Sequence, residues 1–192
     1  ANGDVTVDGD VTADEVTVST GGSSSAVTGN VSLTGSLTKQ GDGSLSVNAI
    51  EAAGSNTDAE AVNVEAGTLD IGATNNDGAI ASEKITVDAG ATLELHRDVQ
   101  TAGTPYEIKA NIAGGGNFAK YGDEAVTLSG EITHTGTMTI GDGSVKILQD
   151  SGTITTGDFK GTGELTIESK ADSFDSTFML AGGKYDNLSA LT

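Results

Sequence analysis

One histidine, the only arginine and an aspartate stand side by side at His96-Arg97-Asp98, just after the alternating Leu93-Glu-Leu95. An imidazole moves protons near neutrality, a guanidinium grips anions, and a carboxylate serves as base or as orienter of the imidazole. These are the groups with which polysaccharide lyases and hydrolases work. They are the binding-site candidates of this chain. The opposing reading, which the sequence favours, is a solvated turn. A catalytic centre needs several convergent titratable groups, and two histidines and one arginine leave little to build from. Serine and aspartate abound, but a Ser–His–Asp triad is recognised by geometry and not by abundance. No catalytic residue is assigned.

Three further patterns carry chemistry in principle. Asp8-Gly-Asp10 with Asp14-Glu15, and Asn75-Asn-Asp77-Gly78, offer oxygen ligands for Ca²⁺. Neither has the spacing of an EF-hand or of a calcium-binding nonapeptide repeat, and both read as ordinary Asp/Asn/Gly turns. Thr133, Thr135, Thr137 and Thr139 alternate through 132–140 and would share one face of a strand, with Ile132, His134, Met138 and Ile140 opposite. Flat threonine arrays mark ice-binding surfaces, but threonine is also a plain outward β-former. Lys39 and Lys120 each stand two residues before a glycine and three before Asp42 or Asp123. They would pair with those aspartates across the turn, as exposed contacts worth about 0–1 kcal/mol. The sequence predicts no metal centre and no cofactor.

Composition narrows the partners. Nine basic residues stand against 28 acidic ones, a net charge of −19. Nucleic acid is excluded, because its affinity rests on Lys and Arg at the phosphates. Anionic lipid surfaces are excluded for the same reason. No apolar run approaches the eighteen or so residues of a membrane helix, so no membrane insertion is expected of this segment. There is no cysteine, and disulfides contribute nothing.

The elements that would position any site are short strands. Val5-Thr-Val7, Val16-Thr-Val18, Leu45-Ser-Val47, Val62-Asn-Val64, Ile85-Thr-Val87, Leu93-Glu-Leu95, Val126-Thr-Leu128 and Leu165-Thr-Ile167 all run apolar–polar–apolar. Period two places the apolar pair on one side of a strand. Gly, Asp, Asn and Ser bound each run and supply turns. With 28 glycines, helix is nearly excluded, since each costs about 1 kcal/mol in a helix interior. Two stretches admit helix: Asn48–Ala61, read instead as a loop insertion, and Tyr185–Leu191.

The chain also repeats itself. Residues 31–47 align without a gap on 112–128, with Gly35, Lys39, Gly41 and Asp42 recurring as Gly116, Lys120, Gly122 and Asp123. A second block, 62–71, aligns on 138–147, so the repeats cover 31–71 and 112–148. A partial copy lies at 161–167, and the tail 172–192 is a cap or a truncated repeat. Such recurrence argues for stacked units that bury apolar faces only against neighbours. It predicts one all-β domain over 1–192, a right-handed single-stranded parallel β-helix of about eight or nine coils and about 40 Å. Like should stack on like, with Gly41 and Leu45 beneath their later equivalents.

The motif resembles the autotransporter-associated β-strand repeat of bacterial outer-membrane autotransporters. The residues are Gly35-Ser-Leu37-Thr-Lys39-Gln-Gly41-Asp-Gly43-Ser-Leu45-Ser-Val47 and Ala66-Gly67-Thr68-Leu69, then Gly116-Asn-Phe118-Ala-Lys120-Tyr-Gly122 and Val126-Thr-Leu128. Glu124 departs from the pattern, which expects Gly there. The resemblance implies a passenger-domain segment, extracellular at the bacterial cell surface and continuous with an outer-membrane β-barrel. It implies a non-enzymatic, adhesive role, with host glycan or protein as the partner. The other class open to such a solenoid is a carbohydrate-active β-helix or a phage tail-fibre segment.

Overall fold

The computed structural model describes residues 5–53, 58–98, 105–149, 152–155, 157–169, 178–181 and 188–191. Every regular element among them is a β-strand of two to six residues. Alternation and glycine explain why. A Leu-x-Val step buries two side chains, and the next Gly or Asp turns the chain before a longer strand can form.

Successive strands do not fold back on one another. Each pair flanking a glycine bend is an arc, in which the chain turns a corner and joins a different sheet. The result is a parallel β-solenoid with three faces. The first face runs Val5–Val7, Ser24–Val27, Ser44–Val47, Thr68–Ile71, Thr92–His96, Asn117–Tyr121, Met138–Ile140, Phe159–Gly161. The third face runs in parallel from Val16–Ser19 to Phe178–Ala181, also eight strands deep. Seven steps of about 4.8 Å make each of these faces about 34 Å from first strand to last. The second face is two sheets. Four strands end at Ala79–Ile80, and five more begin at Tyr106–Ile108.

Register is regular up to a shift between Leu165 and Thr166 against Leu188–Leu191, so side chains stack in columns. Leu45, Leu69, Leu93, Phe118, Met138 and Phe159 lie one above another on the first face. Leu37, Val62, Ile85, Ile112 and Ile132 do so on the third. All of these are at most 2% exposed. Burying each contributes about 1.5–3 kcal/mol, and the parallel ladders satisfy the backbone around them. The coils are also stitched outside. Thr28 Oγ1 donates to Asp8 (2.7 Å), the Asn30 amide to Asp10 (2.7 Å) and Thr34 Oγ1 to Asp14 (2.6 Å), each partner one coil back. These aspartates serve the turns.

Four expectations change. Like does not stack on like between the two long repeats. Residues 31–47 occupy the second, third and first faces in that order, whereas 112–128 occupy the third, first and second. The copies are displaced by one face, so Leu45 and Val126 stand in different columns. Asn48–Ala61 is not simply a loop insertion, because Ala49–Ala52 is a strand of the second face with Ile50 fully buried. Residues 54–57, later in that stretch, lie outside the described ones. The threonines of 132–140 do not share one strand. The chain turns at Gly136, leaving Thr133 on the third face and Thr139 on the first. Ile132, His134, Met138 and Ile140 do point inward. In the tail, Phe178–Ala181 and Leu188–Leu191 extend the third and second faces as strands, so Leu188–Leu191 is not helical. The rest of the tail after Ser169 lies outside the described residues.

Candidate functional site

His96, Arg97 and Asp98 are consecutive but go to three places. Alternation in Thr92–His96 turns Leu93 and Leu95 inward and Glu94 and His96 outward. Arg97 then rounds the corner between the first and second faces and is 8% exposed. Asp98 continues past it and accepts the Asp123 amide at 3.1 Å.

Arg97 is held from several sides. Its Nη1 donates to Asp77 Oδ1 and to the Gly78 carbonyl, both at 2.9 Å, and its Nε pairs with buried Glu124. Its guanidinium carbon lies 4.3 Å from the Tyr106 ring centroid. The partners arrive by a local fold-back. Gly78 donates its amide to the His96 carbonyl and Asp98 donates to Asn76, both at 2.8 Å. That Asp77–Arg97 contact is the one antiparallel bridge among the described residues. The cluster sits where the second face breaks. No ladder joins Ile80 to Tyr106. Instead the Tyr106 hydroxyl accepts the Ile80 amide at 2.6 Å and donates to the Ile80 carbonyl at 3.1 Å. Burial pushes the Tyr106 phenol above its ordinary range, so it keeps the proton this bridge requires. The corner is therefore a structural clamp and not a solvated turn.

His96 belongs to a different group. Its Nε2 lies 3.5 Å from Asp70 Oδ1 on the preceding strand and 3.8 Å from Glu94 Oε2 on its own. Its ring stacks on Tyr121 of the next strand at 4.9 Å between centroids. Ser46 and the Ala73 amide donate to the Asp70 carboxylate. Burial holds that carboxyl above the usual carboxylate range, with His96 opposing the shift and Glu94 adding to it. The ligand atoms of Asp70, Glu94 and His96 all lie within 4.8 Å of one another, the metal-competent grouping among the described residues.

Lys39 and Lys120 overturn the expectation of exposed ion pairs. Both side chains are fully buried. Lys39 stands in the third-face column between Val18 and Val64, and Lys120 in the first-face column between Leu95 and Ile140. Their stems run along the core and their ammonium groups curl to the corner. Lys39 Nζ donates to the carbonyls of Gln40 (3.0 Å), Gly41 (2.7 Å) and Ala66 (3.0 Å). Lys120 Nζ donates to those of Gly122 and Asp142, the latter at 3.0 Å. Desolvation lowers both lysines from their ordinary pKa, while the nearby aspartates oppose it.

Of His96, Arg97 and Asp98, then, His96 faces outward beside Asp70 and Glu94, Arg97 is buried in the corner, and Asp98 is exposed against the Asp123 amide. Sequence reasoning missed Asp70, Glu94, Tyr106 and Glu124. A signal for the first two exists. Ala66-Gly-Thr-Leu-Asp70-Ile aligns with Gly90-Ala-Thr-Leu-Glu94-Leu, one coil later. No family model, curated protein or solved structure matches this chain.

Proposed function

We propose that the chain is a non-enzymatic structural and adhesive segment of a secreted bacterial surface protein of the autotransporter kind. It acts as a stiff acidic spacer whose polar faces meet host glycan or protein. The observation that carries this reading is the use made of the cations. Arg97, the single arginine, and the repeated lysines Lys39 and Lys120 are buried and hold corners of the rod, while Lys84, Lys109 and Lys160 lie exposed and scattered along the chain. Ser, Thr, Asp and Glu recur at outward positions of the strands and turns, and the net charge is −19. Stacking alone sets the length, and the in-register columns supply the stiffness.

The test displays the chain on a bacterial surface through an outer-membrane β-barrel and offers it arrays of glycans and host matrix proteins. Saturable binding without depolymerisation is expected. Cleavage of a polysaccharide that disappears in His96→Ala would overturn the reading in favour of a carbohydrate-active solenoid.

A further inference from the structure

We propose that Asp70, Glu94 and His96 bind one divalent transition-metal ion of the zinc type on the outer side of the first face. This goes beyond the structural role above and does not depend on it.

The distances carry the argument. A tetrahedral zinc ion held at about 2.1 Å by N and O ligands has ligand–ligand edges of about 3.4 Å. His96 Nε2 stands 3.5 Å from Asp70 Oδ1 and 3.8 Å from Glu94 Oε2. These two separations are long for hydrogen bonds and close to the edges of such a tetrahedron, and all three ligand atoms lie within 4.8 Å of one another. Asp70 Oδ1 and His96 Nε2 are also shielded from water without a hydrogen-bond partner. A shared ion satisfies both atoms at once. Asp70 and Glu94 are in-register neighbours on adjacent parallel strands, where like charges repel, and a cation between them reverses the sign of that interaction.

The surroundings fit as well. Ser46 and Ala73 orient the Asp70 carboxylate, and Tyr121 fixes the imidazole plane by stacking at an interplanar angle of 27°. Such outer contacts set ligand geometry. The imidazole selects zinc-like ions over Ca²⁺ and Mg²⁺, which take oxygen. Three protein ligands leave a fourth position toward solvent.

The chain has two imidazoles, and His134 is sealed in the core, so histidine-ring NMR during Zn²⁺ titration of the metal-free protein carries its own control. His96 signals should move and saturate at one equivalent while those of His134 stay fixed. By calorimetry, His96→Ala and Asp70→Asn should each weaken Zn²⁺ binding at least about tenfold, with an unchanged far-UV spectrum. The proposal is overturned if His96 is unmoved at one equivalent, if neither variant alters the affinity, or if equimolar Ca²⁺ displaces Zn²⁺. Should either variant fail to fold, the wild-type histidine spectrum decides alone.

Discussion

The Lys39 and Lys120 corners are built from the same local sequence and stand on different edges of the rod. Lys39-Gln-Gly41-Asp leads from the third face to the first, and Lys120-Tyr-Gly122-Asp from the first to the second. Both glycines have positive φ, 76° and 89°. A Cβ on either would strike a backbone carbonyl of the coil beneath, at Thr20 or Arg97. Both ammonium groups reach the carbonyl of the glycine two residues on and one carbonyl of the next coil. The module therefore encodes a corner: a buried lysine gathering the carbonyls of its own turn and of the next coil. It does not encode which edge of the rod the corner occupies. The corners differ one step later. Gly43 lies so close to Ser23 that no side chain fits, whereas Glu124 is held by Arg97 at the break in the second face.

The largest effect comes from charging the two columns that the repeat equates. Leu45→Asp on the first face and Val126→Asp on the second each place an unpaired carboxylate in a dry column. Each should cost more than about 3 kcal/mol and abolish cooperative melting followed by circular dichroism. Native-like melting of either variant would place that residue on the outside.

Exchanging the distinguishing residues comes next. Gly43→Glu should destabilise by about 3 kcal/mol, because the new Cβ collides with the Ser23 carbonyl. Glu124→Gly should cost about 2–3 kcal/mol through the lost charge-assisted contact with Arg97. Denaturant titration measures both. If Gly43→Glu is tolerated, the two corners are interchangeable and the contrast drawn between them fails.

Removing what the corners share should have a smaller and matched effect. Lys39→Met and Lys120→Met keep the stem and delete the donor, leaving carbonyls unmet at a cost of about 1–3 kcal/mol each. Midpoints that move for one lysine and not the other would contradict a common module.

The smallest effect is a pH slope. His134 continues the inner column of Lys39 but reaches no such set of carbonyls. It is fully buried, with both ring nitrogens poorly aligned on the backbone of Thr137 and Ala113. Burial lowers its pKa, so the unfolded chain takes up a proton below about pH 6.5 that the folded chain refuses. Folding stability should fall as pH drops below about 6.5, by up to about 1.4 kcal/mol per unit. The difference between wild type and His134→Leu across pH 5–8 isolates this slope from the background of acidic residues.

Much of the architecture was legible in the residues. Alternation in Leu45-Ser-Val47 or Leu93-Glu-Leu95 names the inward side chains, and glycine spacing marks the corners, because both are local properties. The phase of the repeat was not legible. A three-faced coil has three similar corners, and only stacking with neighbours decides which one a given Gly-Asp turns. The lysines misled for a related reason. A side chain at an inward position reads as apolar unless its end can return to the surface, and the nearby corner permits that. The His96 group was half visible, since alternation puts Glu94 and His96 on one face, but Asp70 joins them only once the coil length places it beside Glu94.

The displacement of the two repeats by one face is the central claim, and cross-linking tests it directly in a chain without cysteine. Thr92 and Asn117 are in-register neighbours on the first face, within the Cα separation of about 4.4–6.8 Å that a disulfide spans. The pair Thr92→Cys/Asn117→Cys should oxidise to an intramolecular disulfide, and Lys84→Cys/Asn117→Cys should not. If the repeats instead stacked in phase, Asn117 would join Lys84 on the third face. Ready closure of the second pair with none in the first would contradict the account.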